Sequence, residues 1–182
     1  MAPDAILHGV ALDLVEGDIT DQPGFAAVVN AANAELMPGG GVAGAIHRAA
    51  GPALAAECRP LAPIHAGECV ITAGHALPNP WVLHCLGPVH GRDEAADQLL
   101  ASCYRHALEQ ADERGLESVA FPAISTGVFG YPIEEAAKVA LTAVADMAPR
   151  LQHIRRVRFV LASSDALEVH RAALAHLVDG PR

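Results

Sequence analysis

The chain predicts an α/β fold of three layers, α/β/α, with a mostly parallel mixed central sheet covered by helices on both faces. Three observations predict it. Short apolar runs of strand length alternate with longer runs of helical period. Glycine-rich loops follow several of the apolar runs and lead into helices. No internal repeat or low-complexity linker interrupts the series, and 182 residues suit a single domain over 1–182, with an ordered core over about 8–178.

The elements follow in order. Val10–Val15 alternates loosely and reads as a first strand running into Gly17-Asp18-Ile19-Thr20. Ala26–Asn30 is a short buried strand, and Val42 to about Cys58 a helix interrupted at Gly51-Pro52. Cys69–Ala73 and Trp81–Leu86 read as strands separated by the turn-rich Leu77-Pro78-Asn79-Pro80. Glu94–Arg114 carries Leu99, Leu100, Cys103, Ala107, Leu108 and Ala111 at helical spacing and stops at Gly115. Ser118–Phe121 is a strand, Ile133–Met147 a helix stopped by Pro149, Val157–Ala162 a strand and Asp165–Leu177 a final helix. Met1–His8 and Asp179–Arg182 read as loose ends.

In open α/β sheets ligands bind beyond the carboxyl ends of the strands. Asn30–Asn33, Ile124–Gly130 and Ala162–Asp165 all follow strand ends and are expected to meet at one crevice. Two of these segments are built for anions. Val28–Gly51 runs from a strand through Asn30 and Asn33, across Gly39-Gly40-Gly41, into a helix. Glycines let main-chain amides approach a ligand, and a helix start supplies free N–H donors. The segment Ala123–Pro132 is a second strand–loop–helix unit of this kind, so one anionic ligand is expected to be gripped from two sides.

Composition narrows the class. Net charge is −9, with 52% hydrophobic, 18% charged and 4% aromatic residues. An acidic chain lacks the cations that bulk nucleic-acid binding needs, whereas a cradle of backbone amides needs few. Cys58, Cys69, Cys85 and Cys103 show no tight pairing and read as reduced buried thiols of a cytoplasmic protein. The first residues lack the pattern of a secretory leader, no apolar run is long enough for a membrane span, and a monomer is expected.

Four motifs in register resemble the macrodomain family: GDIT at Gly17–Thr20, NAAN at Asn30–Asn33, GGGVAGAIHRAAG at Gly39–Gly51 and ISTGVFGYP at Ile124–Pro132. The AIHRAAG and FGYP endings look most like the MacroD-type branch, which removes ADP-ribose from modified proteins and deacetylates O-acetyl-ADP-ribose. The resemblance implies ADP-ribose, ADP-ribosylated proteins and O-acetyl-ADP-ribose as partners, and no cofactor. It implies that the Asp18 carboxylate accepts from the adenine amino group and that the Ile19 amide reaches a ring nitrogen. The competing reading of Asp18 is a turn residue bonded to its own backbone. Asn33 is implied to orient the distal ribose, with Asn30 left to shape the turn. Gly39, Gly40, Gly41 and Val42 would form the first cradle. Ser125, Thr126, Gly127, Val128 and Phe129 would form the second, with Phe129 over the distal ribose.

Two positions depart from the family pattern. MacroD-type hydrolases usually carry Asp where this chain has Ala43, and alanine cannot accept a proton. A phosphate oxygen of the ligand could take the base's place, with Asn33, Gly41, His47 and Phe129 as the catalytic set. His47 lies one helical turn after Ala43 and is a candidate orienting group; the competing reading is a surface or satisfied core histidine. Second, Ala162 stands where many relatives place an aromatic against adenine, so the base is expected to pack on aliphatic groups. Cys58, His65 and Cys69 lie close in sequence, but their spacing is not a zinc pattern and no metal is expected. A redox dinucleotide site is disfavoured, because the turn after the first strand is Gly17-Asp18-Ile19-Thr20 rather than a Gly-x-Gly-x-x-Gly turn.

Overall fold

Residue alternation along the strands decides which helices cover which face. In β3 (Ala27–Ala31) Ala27 and Val29 belong to one core, while Val28 and Asn30 point to the opposite face. In the computed structural model, which describes residues 1–180, that alternation splits the interior in two. The larger core joins the sheet to α3 (Ala96–Glu113), α4 (Ile133–Met147) and α5 (Ser164–Asp179). The smaller joins it to α1 (Gly41–Ala50) and α2 (Pro52–Cys58). The result is the expected three-layer α/β/α arrangement.

The remaining strands are β1 (Ala5–Leu7), β2 (Val10–Glu16), β4 (Cys69–Ala73), β5 (Trp81–Cys85), β6 (Ser118–Phe121) and β7 (Arg156–Leu161). The seven lie in the order β1-β2-β7-β6-β3-β5-β4. The inner pairs β2·β7, β7·β6, β6·β3 and β3·β5 are parallel, and both edge pairs are antiparallel. The carboxyl ends of β2, β7, β6 and β3 therefore share one edge, in that order. With neighbouring strands ~4.8 Å apart, the ends of β2 and β3 are roughly 14 Å apart.

Most boundaries fall within one residue of the sequence expectation, and three differ by more. Residues 1–8 are not all loose, since Ala5–Leu7 pairs with β2 across the His8-Gly9 turn. Both turn residues have positive φ (47° and 84°), the backbone of a type I′ hairpin, for which His-Gly is a weak signal. At the other end Asp179 still belongs to α5, and residues 181–182 of the expected loose tail lie outside the described residues. The helix expected from Glu94 begins at Ala96, because Ala95 takes a left-handed conformation with φ 51°.

The two faces are sealed by different chemistry. Under α3 to α5, Tyr104, Phe121 and Phe159 pack with ring centroids 5.1 to 5.8 Å apart. Under α1 and α2 the sheet carries a polar ladder. Asn30 Nδ2 lies 3.0 Å from His84 Nδ1, and His84 Nε2 lies 2.9 Å from Thr72 Oγ1. Thr72 Oγ1 donates to the Ala73 carbonyl, so it accepts from His84 Nε2–H, and His84 Nδ1 in turn accepts from Asn30. Burial, with a lesser contribution from nearby His47, depresses the His84 pKa to about 3 and keeps the ring neutral. All four cysteines are free and buried. No helix among the described residues is long and apolar enough to cross a membrane.

Candidate functional site

The first loop is shaped by Asn33, not by Asn30. The Asn33 Nδ2 donates to the Met37 carbonyl at 2.7 Å, and its Oδ1 accepts from the Met37 amide at 3.0 Å. The side chain thus acts as a strand partner that closes the turn 33–37. Each of its polar atoms keeps one further bonding capacity, an N–H and a lone pair. Asn30 cannot take the turn-shaping role assigned to it from sequence. As the fourth residue of β3 it points under α1, where it is buried against His84. The loop then runs through Gly39-Gly40-Gly41 into α1, with Gly41 at φ +55°. No side chain caps α1 and its first turn holds no acid, so the amides of Gly41, Val42 and Ala43 have no partner within the helix. Such a helix start attracts an anion.

The second loop is positioned from the core. Tyr104 on α3 donates its hydroxyl to the Pro122 carbonyl at 3.4 Å and accepts from the Ile124 amide at 3.2 Å. Beyond it, Ser125 holds φ 66°, costly for a residue with a Cβ. Its Oγ is buried without a partner and lies against Gly87, at the end of β5. A Cβ on Gly87 would also come 2.6 Å from Ile124 Cγ2, so only glycine fits there. The Ser125 carbonyl accepts from Tyr131, and the Phe129 carbonyl accepts from His90 at 2.9 Å. Among the described residues, the amides of Ser125, Thr126, Gly127, Val128 and Phe129 donate no hydrogen bond within the chain. This row of amides is made by the turn, not by a helix start. The helix that follows, α4, begins only at Ile133 and carries Glu134 and Glu135 in its first turn, so the second loop grips through turn amides alone.

The two loops face each other across a cavity of about 360 Å³. It brings together Asn33, Gly39, Gly40, Gly41, Val42, Ser125, Gly127, Val128 and Phe129 from the sequence expectation. Val128 is fully exposed and Phe129 partly buried, as lid positions would be. Ala31, Ala32, Ala123 and Ile124 lie within the segments expected at the crevice but were not singled out, and Gly87 was missed altogether, its only signal being adjacency to a strand end. None of the lining residues titrates.

Other expected residues lie outside the lining. Thr126 turns its hydroxyl to the Ala123 carbonyl at 2.8 Å. Asp18, buried Ile19 and exposed Ala162 sit farther along the same edge, on the loops after β2 and β7. Asp18 Oδ1 accepts from both the amide and the hydroxyl of Thr20, which lowers the Asp18 pKa; Oδ2 has no partner among the described residues. The turn role and an open carboxylate oxygen therefore coexist. His47 does not join Ala43 in the cavity. It is buried, both ring nitrogens lack a partner, and burial lowers its pKa. Cys58, His65 and Cys69 do not converge. Cys58 lies by His84, exposed His65 bonds Glu68, and Cys69 faces Cys85. Among the described residues no group of three or more His, Cys, Asp or Glu side chains is disposed to hold a metal ion.

The arrangement suits an elongated ligand. A carboxylate oxygen waits at one end, two rows of free amides lie in the middle, and a side-chain amide waits at the other end. Comparisons with known proteins give the family. A family profile described as Macro domain matches residues 29–140. An O-acetyl-ADP-ribose deacetylase of Klebsiella pneumoniae is 45% identical over 169 residues, 90% of this chain and 95% of its own length. A macrodomain of Oceanobacillus iheyensis solved with ADP superposes with a TM-score of 0.93 at 37% identity, covering 97% of this chain and 96% of that one. A macrodomain of Trypanosoma brucei in complex with ADP-ribose gives 0.87 at 35% identity, covering 96% of this chain and 74% of that one. The chain belongs to the macrodomain family.

Proposed function

We propose that this macrodomain binds ADP-ribose along the crevice and hydrolyses esters at the distal ribose, from ADP-ribosylated acidic side chains and from O-acetyl-ADP-ribose. The observation that carries the reading is the pair of opposed amide rows, residues 41–43 and 125–129, with Asn33 at one end and the Asp18 Oδ2 at the other. The diphosphate lies between the rows. The spare N–H and lone pair of Asn33 meet the distal ribose diol. Adenine lies at the Asp18 end, beside Ile19 and Ala162.

The residues impose a particular chemistry. Ala43 lines the cavity and is buried, so no side chain there can take a proton. A phosphate oxygen of the ligand takes a proton from water. With an acidic side-chain ester the hydroxide attacks the anomeric carbon, the bond from that carbon to the carboxylate oxygen breaks, the carboxylate leaves and the proton rests on the phosphate. With O-acetyl-ADP-ribose the hydroxide attacks the acetyl carbonyl, the bond to the ribose oxygen breaks, that oxygen takes the proton back from the phosphate, and the acetic acid released ionises. Asn33 fixes the ribose, while Phe129 covers it. Fixing the reacting groups in this way can supply several kcal/mol of barrier lowering. A reader that binds without turnover is the second reading, and a specific observation favours it, namely the lack of any titratable group in the lining.

One experiment separates them. The protein is incubated with a glutamate-linked mono-ADP-ribosylated protein and with O-acetyl-ADP-ribose, and free ADP-ribose and acetate are followed, with Asn33→Ala alongside. Release that Asn33→Ala loses supports the hydrolase. Saturable calorimetric binding of ADP-ribose without release makes the chain a reader, and no binding refutes both.

A further inference from the structure

A chain of polar contacts outside the crevice ends on the backbone of Asp18. Asp13, buried on β2, accepts at Oδ2 from Arg156 Nη2 at 2.6 Å and Arg158 Nη2 at 3.2 Å. Arg158 also lies over the Phe25 ring, 4.7 Å from its centroid. Held in that place, its Nη1 donates to Gln22 Oε1 at 3.1 Å. The other half of the Gln22 amide, Nε2, donates to the Asp18 carbonyl at 2.8 Å. The Gln22 main chain is itself pinned, since its carbonyl accepts from Asn79 Nδ2 at 2.8 Å.

The amide can face only one way. A guanidinium has donors and no acceptor, so Gln22 must present its oxygen to Arg158 and its NH₂ to Asp18. The same Asp18 carbonyl also accepts from the Asp21 amide at 3.0 Å, while Thr20 holds Oδ1. Backbone and carboxylate are thus fixed from two sides, and Oδ2 is left pointing from a set position. Gln22 is buried and lies outside the crevice lining, so its part is played through Asp18.

We infer that Gln22, oriented by Arg158, is a positioning residue for the base subsite. It fixes Asp18 so that the free carboxylate oxygen meets an exocyclic amino group, and so sets a preference for adenine over a 6-oxo purine. The inference rests on the ADP-ribose reading given above.

The test compares calorimetric binding of ADP-ribose with that of its hypoxanthine analogue, in which an oxo group replaces the amino group. Wild type is expected to prefer adenine. Gln22→Met removes both contacts. Gln22→Glu keeps the one to Arg158 but turns an oxygen on the Asp18 carbonyl, and it serves if Gln22→Met fails to fold. Both are expected to reduce the adenine preference about fivefold, the worth of one net hydrogen bond. Arg158→Met is expected to do the same and to add nothing in combination with Gln22→Met. A residue of merely structural importance would weaken both ligands equally, so folded variants with an unchanged ratio overturn the inference. Wild type that binds both analogues alike also overturns it while leaving the ADP-ribose reading intact. Binding of neither removes the reading and the inference together.

Discussion

Gly44→Ala sets helix propensity against the packing of the first loop. Gly44 is an interior residue of α1, where alanine is ordinarily better by roughly 1 kcal/mol. A Cβ there would fall inside the contact shell of the Gly39 carbonyl oxygen, 3.3 Å from the Gly39 carbon and 2.9 Å from Arg48 Nη1. The arginine tip can swing away, but the carbonyl belongs to the cradle and must move by about 1 Å to restore an ordinary C···O approach. Overpacking of this kind costs about 1–3 kcal/mol. Packing is expected to win, leaving a net loss of up to roughly 2 kcal/mol, or about 4–8 °C in Tm for a chain of this size. Because the shift falls on Gly39–Gly41, the Kd for ADP-ribose is expected to rise about 10- to 100-fold, the worth of one hydrogen bond to a charged group. Thermal unfolding and calorimetry on the same sample measure both. A higher Tm with unchanged Kd would refute the reasoning, because it would mean that the helix does not hold the cradle through this contact.

Three further expectations concern base, histidine and charge. Ala43→Asp is expected to raise the initial rate of ester hydrolysis by about 10²-fold or more, since a general base contributes on that scale; an unchanged rate would show that a base is not what limits the site. His84 has a folded pKa of about 3, below its unfolded value near 6.5. The unfolded chain therefore takes up a proton that the native one refuses, and stability complete above pH 6.5 is lost as pH falls towards 3. Between pH 6.5 and 5 this is about 2 kcal/mol that His84→Gln should no longer lose, and parallel urea midpoints for the two proteins would refute it. ADP-ribose affinity is expected to vary little between 50 and 500 mM salt, because amides release no counterions and the chain carries a net charge of −9. A steep fall in calorimetric affinity with salt would point instead to unassigned cations in the site.

The fold was legible because its signals are redundant. Most of the helices and inner strands announce themselves through an apolar period, several of them bounded by glycine or proline, as at Gly51-Pro52 and Gly115. The edge strand β1 was not, since three residues cannot establish a period and its pairing rests on a two-residue turn. The start of α3 was misjudged for a related reason. Ala95 gives no sequence sign of its left-handed conformation, which the loop between β5 and α3 imposes.

Much of the crevice was legible for a different reason: a site made of main-chain amides must be written in glycines and small residues, and those patterns are visible. What the pattern hides is where side chains point. Asn30 and Asn33 look interchangeable in NAAN, yet strand alternation sends Asn30 under α1 and leaves Asn33 to close the turn. His47 and Ala43 share a helical face by spacing, yet only Ala43 reaches the cavity while His47 is buried beside the sheet, close enough to influence His84. Tyr104 and Gly87 act on the second loop from distant parts of the chain, Gln22 is oriented on Asp18 by the distant Arg158, and no local pattern marks any of them. The structure thus separates the groups that can grip a ligand from those that could transform it. The first are abundant and fixed by the core; the second are missing from the cavity lining, and it is for that reason that the proposed hydrolysis draws its base from the ligand.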